Sequence, residues 1–186
     1  MVKIFNTPFM GPIFKFILKV SGWTVVGERP PGLKKFVVIG APHTSNWDIL
    51  IVLMTSFALK LDVHWLAKHT LFRFPFNGIM SWLGAIPVNR NISGDMVNQA
   101  VQLFAQSESF VIGLSPEGTR SKTKTWRSGF WYIARAAQVP ILLAFVDVSN
   151  KRCGILGEFK PTHDVNADVI TLQKRYEEFR GINQIP

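Results

Sequence analysis

At 186 residues the chain is one ordinary domain, long enough to bury a core without disulfide or metal staples. A composition of 47% hydrophobic and 18% charged residues excludes a disordered tail, and the charge is low for a freely soluble domain. With 21 Lys and Arg against 12 Asp and Glu, the formal charge of +9 draws anionic partners: nucleic acid, acidic phospholipid, or a phosphate-bearing substrate.

The cations are scattered singly or in pairs, as at Lys34–Lys35, Lys151–Arg152 and Lys174–Arg175. No long basic block or zinc-ligand spacing accompanies them, which argues against nucleic acid as the partner. The 15 Phe and 6 Trp exceed what a domain of this size usually buries, and contiguous surface aromatics mark contact with lipid, ligand or protein. Cys153 is the only cysteine, so no intrachain disulfide exists and a reducing compartment is the simpler setting. No Gly-x-Ser-x-Gly elbow is present to anchor a serine esterase.

The first element, Phe9 to Val20, is apolar but interrupted by Lys15 and Lys19 and opened by Gly11-Pro12. It is too short to span a bilayer, which takes about 20 apolar residues, and has no small-residue cleavage site. Phe14, Ile17 and Leu18 at i, i+3, i+4 give it an apolar stripe, with the two lysines on another face. Two readings stand: an interfacial helix lying among lipid headgroups, or a terminal helix packed on the domain's own core. The chain divides accordingly into an amphipathic, membrane-associating helix over 1–22 and a domain over 23–186.

Trp23 to Gly27 and Phe36 to Gly40 read as strands joined by the turn Arg29-Pro30-Pro31-Gly32. Asn46 to Leu59, apolar on all sides through Ile49-Leu50-Ile51-Val52-Leu53-Met54, reads as a buried helix. Strands follow at Val63 to Ala67 and Ala85 to Val88, with a short helix over Phe76 to Leu83 between them. Gly94 to Gln106 is an amphipathic helix, with Met96, Val97, Ala100, Val101 and Phe104 at helical spacing. Ser109 to Leu114 is a strand, then a polar loop runs to Thr125. A helix over Gly129 to Gln138 leads to a buried strand at Ile141 to Val146. An edge strand at Cys153 to Phe159 and a charged surface helix over Val165 to Phe179 close the order. This alternation predicts an α/β class: a single-domain sandwich with a largely parallel or mixed central sheet flanked by helices.

Chemistry concentrates in Ala41-Pro42-His43-Thr44-Ser45-Asn46-Trp47-Asp48, between a buried strand and a buried helix, where open α/β sheets place ligands. A carboxylate at one imidazole nitrogen fixes the tautomer and leaves the other nitrogen to take a proton from a hydroxyl. Ser45-x-x-Asp48 is equally a capping box, and Asp in a first helical turn is favoured by the macrodipole, so the segment alone leaves both roles open. His64, His69 and His163 read as packing or surface residues, and two histidines five apart are no metal site. Ser45 reads as a helix cap.

Further segments extend the pattern: Ala67-Lys68-His69-Thr70, then Gly84-Ala85-Ile86-Pro87-Val88-Asn89-Arg90, then Ser115-Pro116-Glu117-Gly118-Thr119-Arg120-Ser121, and Val139-Pro140-Ile141. In this order, from about Phe36 to Phe145, they resemble the lysophospholipid acyltransferase family, which includes 1-acylglycerol-3-phosphate acyltransferases. The resemblance implies a glycerolipid acyltransferase-like fold and transfer of a fatty acyl group from an acyl thioester to a hydroxyl at a membrane surface. It implies that His43 and Asp48 are the catalytic His-x4-Asp pair, acting without a covalent intermediate. Lys68, Arg90 and Arg120 correspond to its cationic grip on the acceptor phosphate, for which the planar guanidinium is suited. Glu117, Gly118 and Thr119 belong with Arg120 to the third, acceptor-side block. Glu117 either holds Arg120 or meets the acceptor's hydroxyls, and Gly118 either lets amides approach an anion or serves a turn. Arg127 is a phosphate contact or a surface charge.

The implied donor is the thioester of coenzyme A or acyl carrier protein, with no tightly bound cofactor and no metal. The partners are then this donor, a lysolipid acceptor and a lipid surface, and the location is the cytoplasmic face of a membrane, peripheral or monotopic. The Phe- and Trp-rich segment between Phe72 and Trp82 is expected to line the acyl groove. Pro42 stands where many members carry Asn, and Asn89 where many carry Asp before the arginine. The acceptor therefore stays open between 1-acylglycerol-3-phosphate, which the family uses most, and a lyso-aminolipid or glycolipid. A non-catalytic lipid-binding protein of the same fold is the alternative outside the enzyme class, though lipid binding alone does not call for a His–Asp pair.

Overall fold

The computed structural model of the chain describes residues 9–45, 48–73, 77–88, 95–118 and 125–182. Seven strands form one sheet: β1 (Thr24–Val26), β2 (Lys35–Ala41), β3 (Val63–Lys68), β4 (Ala85–Val88), β5 (Phe110–Leu114), β6 (Ile141–Asp147) and β7 (Arg152–Phe159). Their spatial order is β1-β7-β6-β2-β5-β3-β4. Every neighbouring pair is parallel except β6–β7, which is antiparallel. The result is a single α/β domain with a mixed, largely parallel sheet. Central strands such as β2 (KFVVIGA) and β6 (ILLAFVD) are almost unbroken apolar runs because helices cover both of their faces.

Side-chain alternation divides each strand between two cores. Val37, Ile39, Ile112, Ile141 and Leu143 point to one face, against α4 (Asp95–Gln106), α5 (Gly129–Ala136) and α6 (Val165–Tyr176). There Phe104 and Phe110 meet edge to face at 5.1 Å. Trp131 of α5 donates through its indole N–H to the buried Asp168 of α6 at 2.7 Å. Phe36, Val38, Val111 and Leu142 point to the other face, under α2 (Asp48–Ala58) and α1 (Met10–Val20). The short α3 (Asn77–Trp82) precedes the sheet's edge strand β4.

Three expectations change. The strand expected at an edge is interior: β7 lies between β6 and β1, and β1 pairs with it from Thr24↔Arg152 to Val26↔Gly154. The helix expected to be buried all round keeps one side in solvent, with Leu50 and Val52 exposed. The closing helix is charged outside, but Asp168, Leu172 and Tyr176 are buried against the sheet.

The N-terminal helix packs on the domain through one face and leaves the other exposed. Leu18 is buried with Ile51, Ala58 and Cys153, and Phe14 stacks on Phe57 at 4.6 Å, so one face packs on α2 and the core. Phe9, Ile13, Phe16, Ile17 and Val20 stay exposed, with Lys15 and Lys19 among them. Ile17, expected beside Phe14 and Leu18, belongs to the exposed face. No helix among the described residues is long and apolar enough to cross a membrane.

Candidate active site

Parallel pairing aligns the carboxyl ends of β2, β3, β4 and β5 on one edge of the sheet. His43 follows β2, Lys68 ends β3 in an exposed position, and Glu117 follows β5. β4 ends at Val88 on the same edge. Arg90, Thr119 and Arg120 lie outside the described residues.

After β2 the chain passes through a cis Ala41–Pro42 peptide and turns into α2. Asp48 organises that turn. Its buried Oδ2 accepts the backbone N–H groups of Thr44 at 2.6 Å and Ser45 at 2.7 Å, and lies 3.7 Å from Nδ1 of His43. The amide contacts are charge-assisted hydrogen bonds, while 3.7 Å is an ion-pair separation longer than a hydrogen bond. The oxygen that caps the turn is thus also the one nearest the imidazole. Oδ1 of Asp48 is buried with no hydrogen-bond partner among the described residues. The His43 side chain keeps 20% of its surface exposed against 1% for Asp48, so the ring stands at an opening and the acid behind it.

Glu117 makes a contact that neither expectation named. Its Oε1 accepts the backbone N–H of His43 at 2.9 Å, across 74 residues of sequence. Burial raises the Glu117 carboxyl above its ordinary value, the His43 amide works against that rise, and the negative charge of Asp48 adds to it. Gly118 serves a turn: its φ of +61° is left-handed, and a Cβ there would come 2.6 Å from Cδ of Arg127. The exposed Arg127 is tied to this turn by its own N–H, which donates to the carbonyl of Pro116 at 2.7 Å. A further support comes from Gly181, which is packed so closely on the buried Thr44 that a side chain there would collide.

A cavity of about 320 Å³ opens beside His43 and runs between α2 and the sheet. Its walls are mainly aliphatic, including Val38, Leu53, Leu59, Val63 and Ala144, with Trp65 at one side. A pocket with an imidazole and a buried carboxylate at the mouth of an apolar hole can activate a hydroxyl next to a long hydrocarbon.

Residues 18–144 match a family model described as acyltransferase, which is more than half of the chain. The chain belongs to the acyltransferase family. No curated protein sequence matches it. The fold is similar to the crystal structure of the 1-acyl-sn-glycerophosphate acyltransferase PlsC from Thermotoga maritima, with a TM-score of 0.59 and 18% identity. That match covers 92% of this chain and 80% of the Thermotoga one.

In this acyltransferase the apolar cavity is not where the aromatic-rich segment suggested. None of the described residues between Phe72 and Trp82 lines it; Ile79 and Trp82 are exposed. The space arises instead where Gly40 and Ala144 replace larger side chains on the α2 face of two adjacent strands, interruptions that the sequence does display within its apolar runs. Two of the other histidines have partners elsewhere: His64 is buried against Phe110, and Nδ1 of His163 is 2.7 Å from an Arg135 guanidinium nitrogen; His69 is exposed after β3. Among the described residues no cluster of three or more His, Cys, Asp or Glu could hold a metal ion.

Proposed function

We propose that this acyltransferase moves a fatty acyl group from an acyl thioester to the hydroxyl of a lysophospholipid-type acceptor, 1-acylglycerol-3-phosphate foremost. The observation that carries the reading is the His43–Asp48 pair at the mouth of an apolar cavity. Nδ1 of His43 faces Asp48, so the acceptor's proton goes to Nε2. The acceptor oxygen bonds to the acyl carbonyl carbon, the C–S bond breaks, and the departing thiolate takes the proton held on the imidazole. Asp48 keeps the tautomer and stabilises the transient imidazolium. The acyl chain occupies the cavity under α2, where burying each CH2 contributes about 0.8 kcal/mol to holding it. No covalent intermediate and no bound cofactor or metal enters this sequence of steps. The thiol carrier is coenzyme A or acyl carrier protein.

The acceptor phosphate is gripped by Arg90 and Arg120, with Lys68 at the end of β3 and the residues Glu117, Gly118 and Thr119 completing that side. The exposed face of α1, with Phe9, Phe16 and Val20 beside Lys15 and Lys19, seats the enzyme on the cytoplasmic face of a membrane as a peripheral or monotopic protein. Substituting Phe9 and Phe16 by Ser should weaken sedimentation with anionic vesicles; unchanged sedimentation removes α1 from that role.

The deciding experiment incubates the purified protein with palmitoyl-coenzyme A or palmitoyl-acyl carrier protein and a panel of lysolipids. Free thiol and product mass are both read. Release of thiol together with a new diacyl lipid is expected. Lipid binding with no thiol release from either carrier would favour a lipid-binding protein instead.

A further inference from the structure

Two glycines face α2 from neighbouring central strands, and they are small for different reasons. At Gly113 of β5 an added Cβ would lie 2.5 Å from a methyl of Val63, so the packing of β3 demands glycine there. At Gly40 of β2 an added Cβ would meet nothing among the described residues within 4 Å, and the backbone is not in the left-handed region. Neither conformation nor packing against the described residues calls for glycine at this position. Glycine inside a strand weakens it, and one recognised reason for its presence is the close approach of a ligand.

The free space over Gly40 is part of the cavity that also touches His43 and Ser115. The parallel register, which ends at Ile39↔Leu114, sets Gly40 and Ser115 side by side at the carboxyl ends of β2 and β5. Ser115 Oγ is buried and makes no hydrogen bond among the described residues. A buried hydroxyl left unpaired costs about 1–3 kcal/mol. Ser115 is one of the residues lining the cavity, whose other lining is mostly hydrocarbon, together with His43.

We propose that the Ser115 hydroxyl donates a hydrogen bond to the carbonyl oxygen of the acyl thioester, which lies flat across Gly40. The inference rests on the acyl-transfer reading and adds a catalytic residue to it. As the acceptor oxygen bonds to the carbonyl carbon, the carbonyl π pair moves onto its oxygen and the Ser115 hydrogen bond strengthens. The pair returns when the C–S bond breaks, and the thiolate leaves with the proton from His43. Ser115 itself forms no covalent bond.

The test compares wild type, Ser115→Ala and Gly40→Ala with palmitoyl-coenzyme A and oleoyl-glycerol-3-phosphate, reading kcat, both KM values, Tm and intact protein mass. Ser115→Ala should lower kcat roughly a hundredfold, as loss of one oxyanion donor does. Its Tm should stay equal or rise, because an unpaired polar group has been removed. Gly40→Ala should keep its Tm and raise the KM for the thioester, because the methyl stands where the carbonyl lies. A Ser115→Ala enzyme with wild-type kcat overturns the proposal. So does a fall in Tm alongside activity, which makes the hydroxyl structural, or an effect confined to the acceptor KM. An acyl mass increment on Ser115 would make it a nucleophile and also overturns the donor role. Each of these failures leaves wild-type acyl transfer intact, whereas a wild type that transfers no acyl group to any acceptor sinks the parent reading and this inference with it.

Discussion

The two faces of the sheet use the same strands for different ends. Under α4, α5 and α6 the strands present Val37, Ile39, Ile112, Ile141 and Leu143, all fully buried, and the helices return Phe104, Phe130 and Trp131 into that layer. Under α2 the same strands present Val38, Gly40, Gly113 and Ala144, and a cavity remains. Protein interiors are close-packed, so an open apolar volume of this size forfeits contacts that the opposite face retains. The difference teaches a division of labour: one face holds the sheet together, and the other gives up packing to leave room beside His43.

That contrast can be broken in four ways. The largest effect is chemical. His43→Ala should lower acyl transfer by roughly a hundred- to ten-thousand-fold with Tm unchanged, checked by thiol release and calorimetry. Turnover near wild type would remove His43 as the base.

Truncation should next separate the two faces thermodynamically. Phe130→Ala, in the packed layer, should cost about 3–5 kcal/mol in denaturant unfolding. Leu53→Ala already borders open space and should cost about 1 kcal/mol. Equal losses would mean that both faces are packed alike.

Filling the void sharpens the comparison from the other side. Ala144→Leu should keep or raise the unfolding free energy while turnover of the longest acyl donors falls first, measured across a series of chain lengths. A uniform loss for all lengths would argue that the acyl chain lies elsewhere.

The smallest effect is a pH signature. Glu117 is a buried carboxyl held above its ordinary value of 4.5, so its folded form binds the proton more tightly than the unfolded chain does. Its contribution to stability is therefore full below the ordinary value and lost as pH rises through the raised one. Glu117→Gln keeps an oxygen to accept the His43 amide but does not titrate. The difference in Tm between wild type and this variant should change across that window and be flat above it. A difference independent of pH would mean that the Glu117 carboxyl is not shifted.

Much of this architecture was legible because its causes are local. The apolar runs of β2, β5 and β6 and the helical spacing of Met96, Ala100 and Phe104 declare their elements directly, and β–α alternation implies a largely parallel sheet. The place of β7 was hidden, since nothing in Arg152–Phe159 says that three residues of β1, more than a hundred positions earlier, will pair along its outer side. At the site, the His43–Asp48 spacing was readable from one turn of chain. The hold of Glu117 on the His43 amide was not, because a carboxylate carries no mark of which backbone N–H it will meet across the sheet. The cavity is expected among Phe and Trp, yet it is created by absence, at Gly40 and Ala144, where following large side chains finds nothing.

The contact of Gly181 with Thr44 has a consequence for synthesis order. The ribosome makes α1 and the loop bearing His43 early, but the residue that backs this loop emerges only after α6. Until then Thr44 has one side without its neighbour, and Val148 lacks the Arg180 carbonyl that its N–H meets in the finished fold. A chain stalled after β7 would hold the sheet's central strands and the Asp48 and Glu117 contacts of the turn while Thr44 still lacked its Gly181 neighbour, so the packing around the motif is completed by residues made after α6.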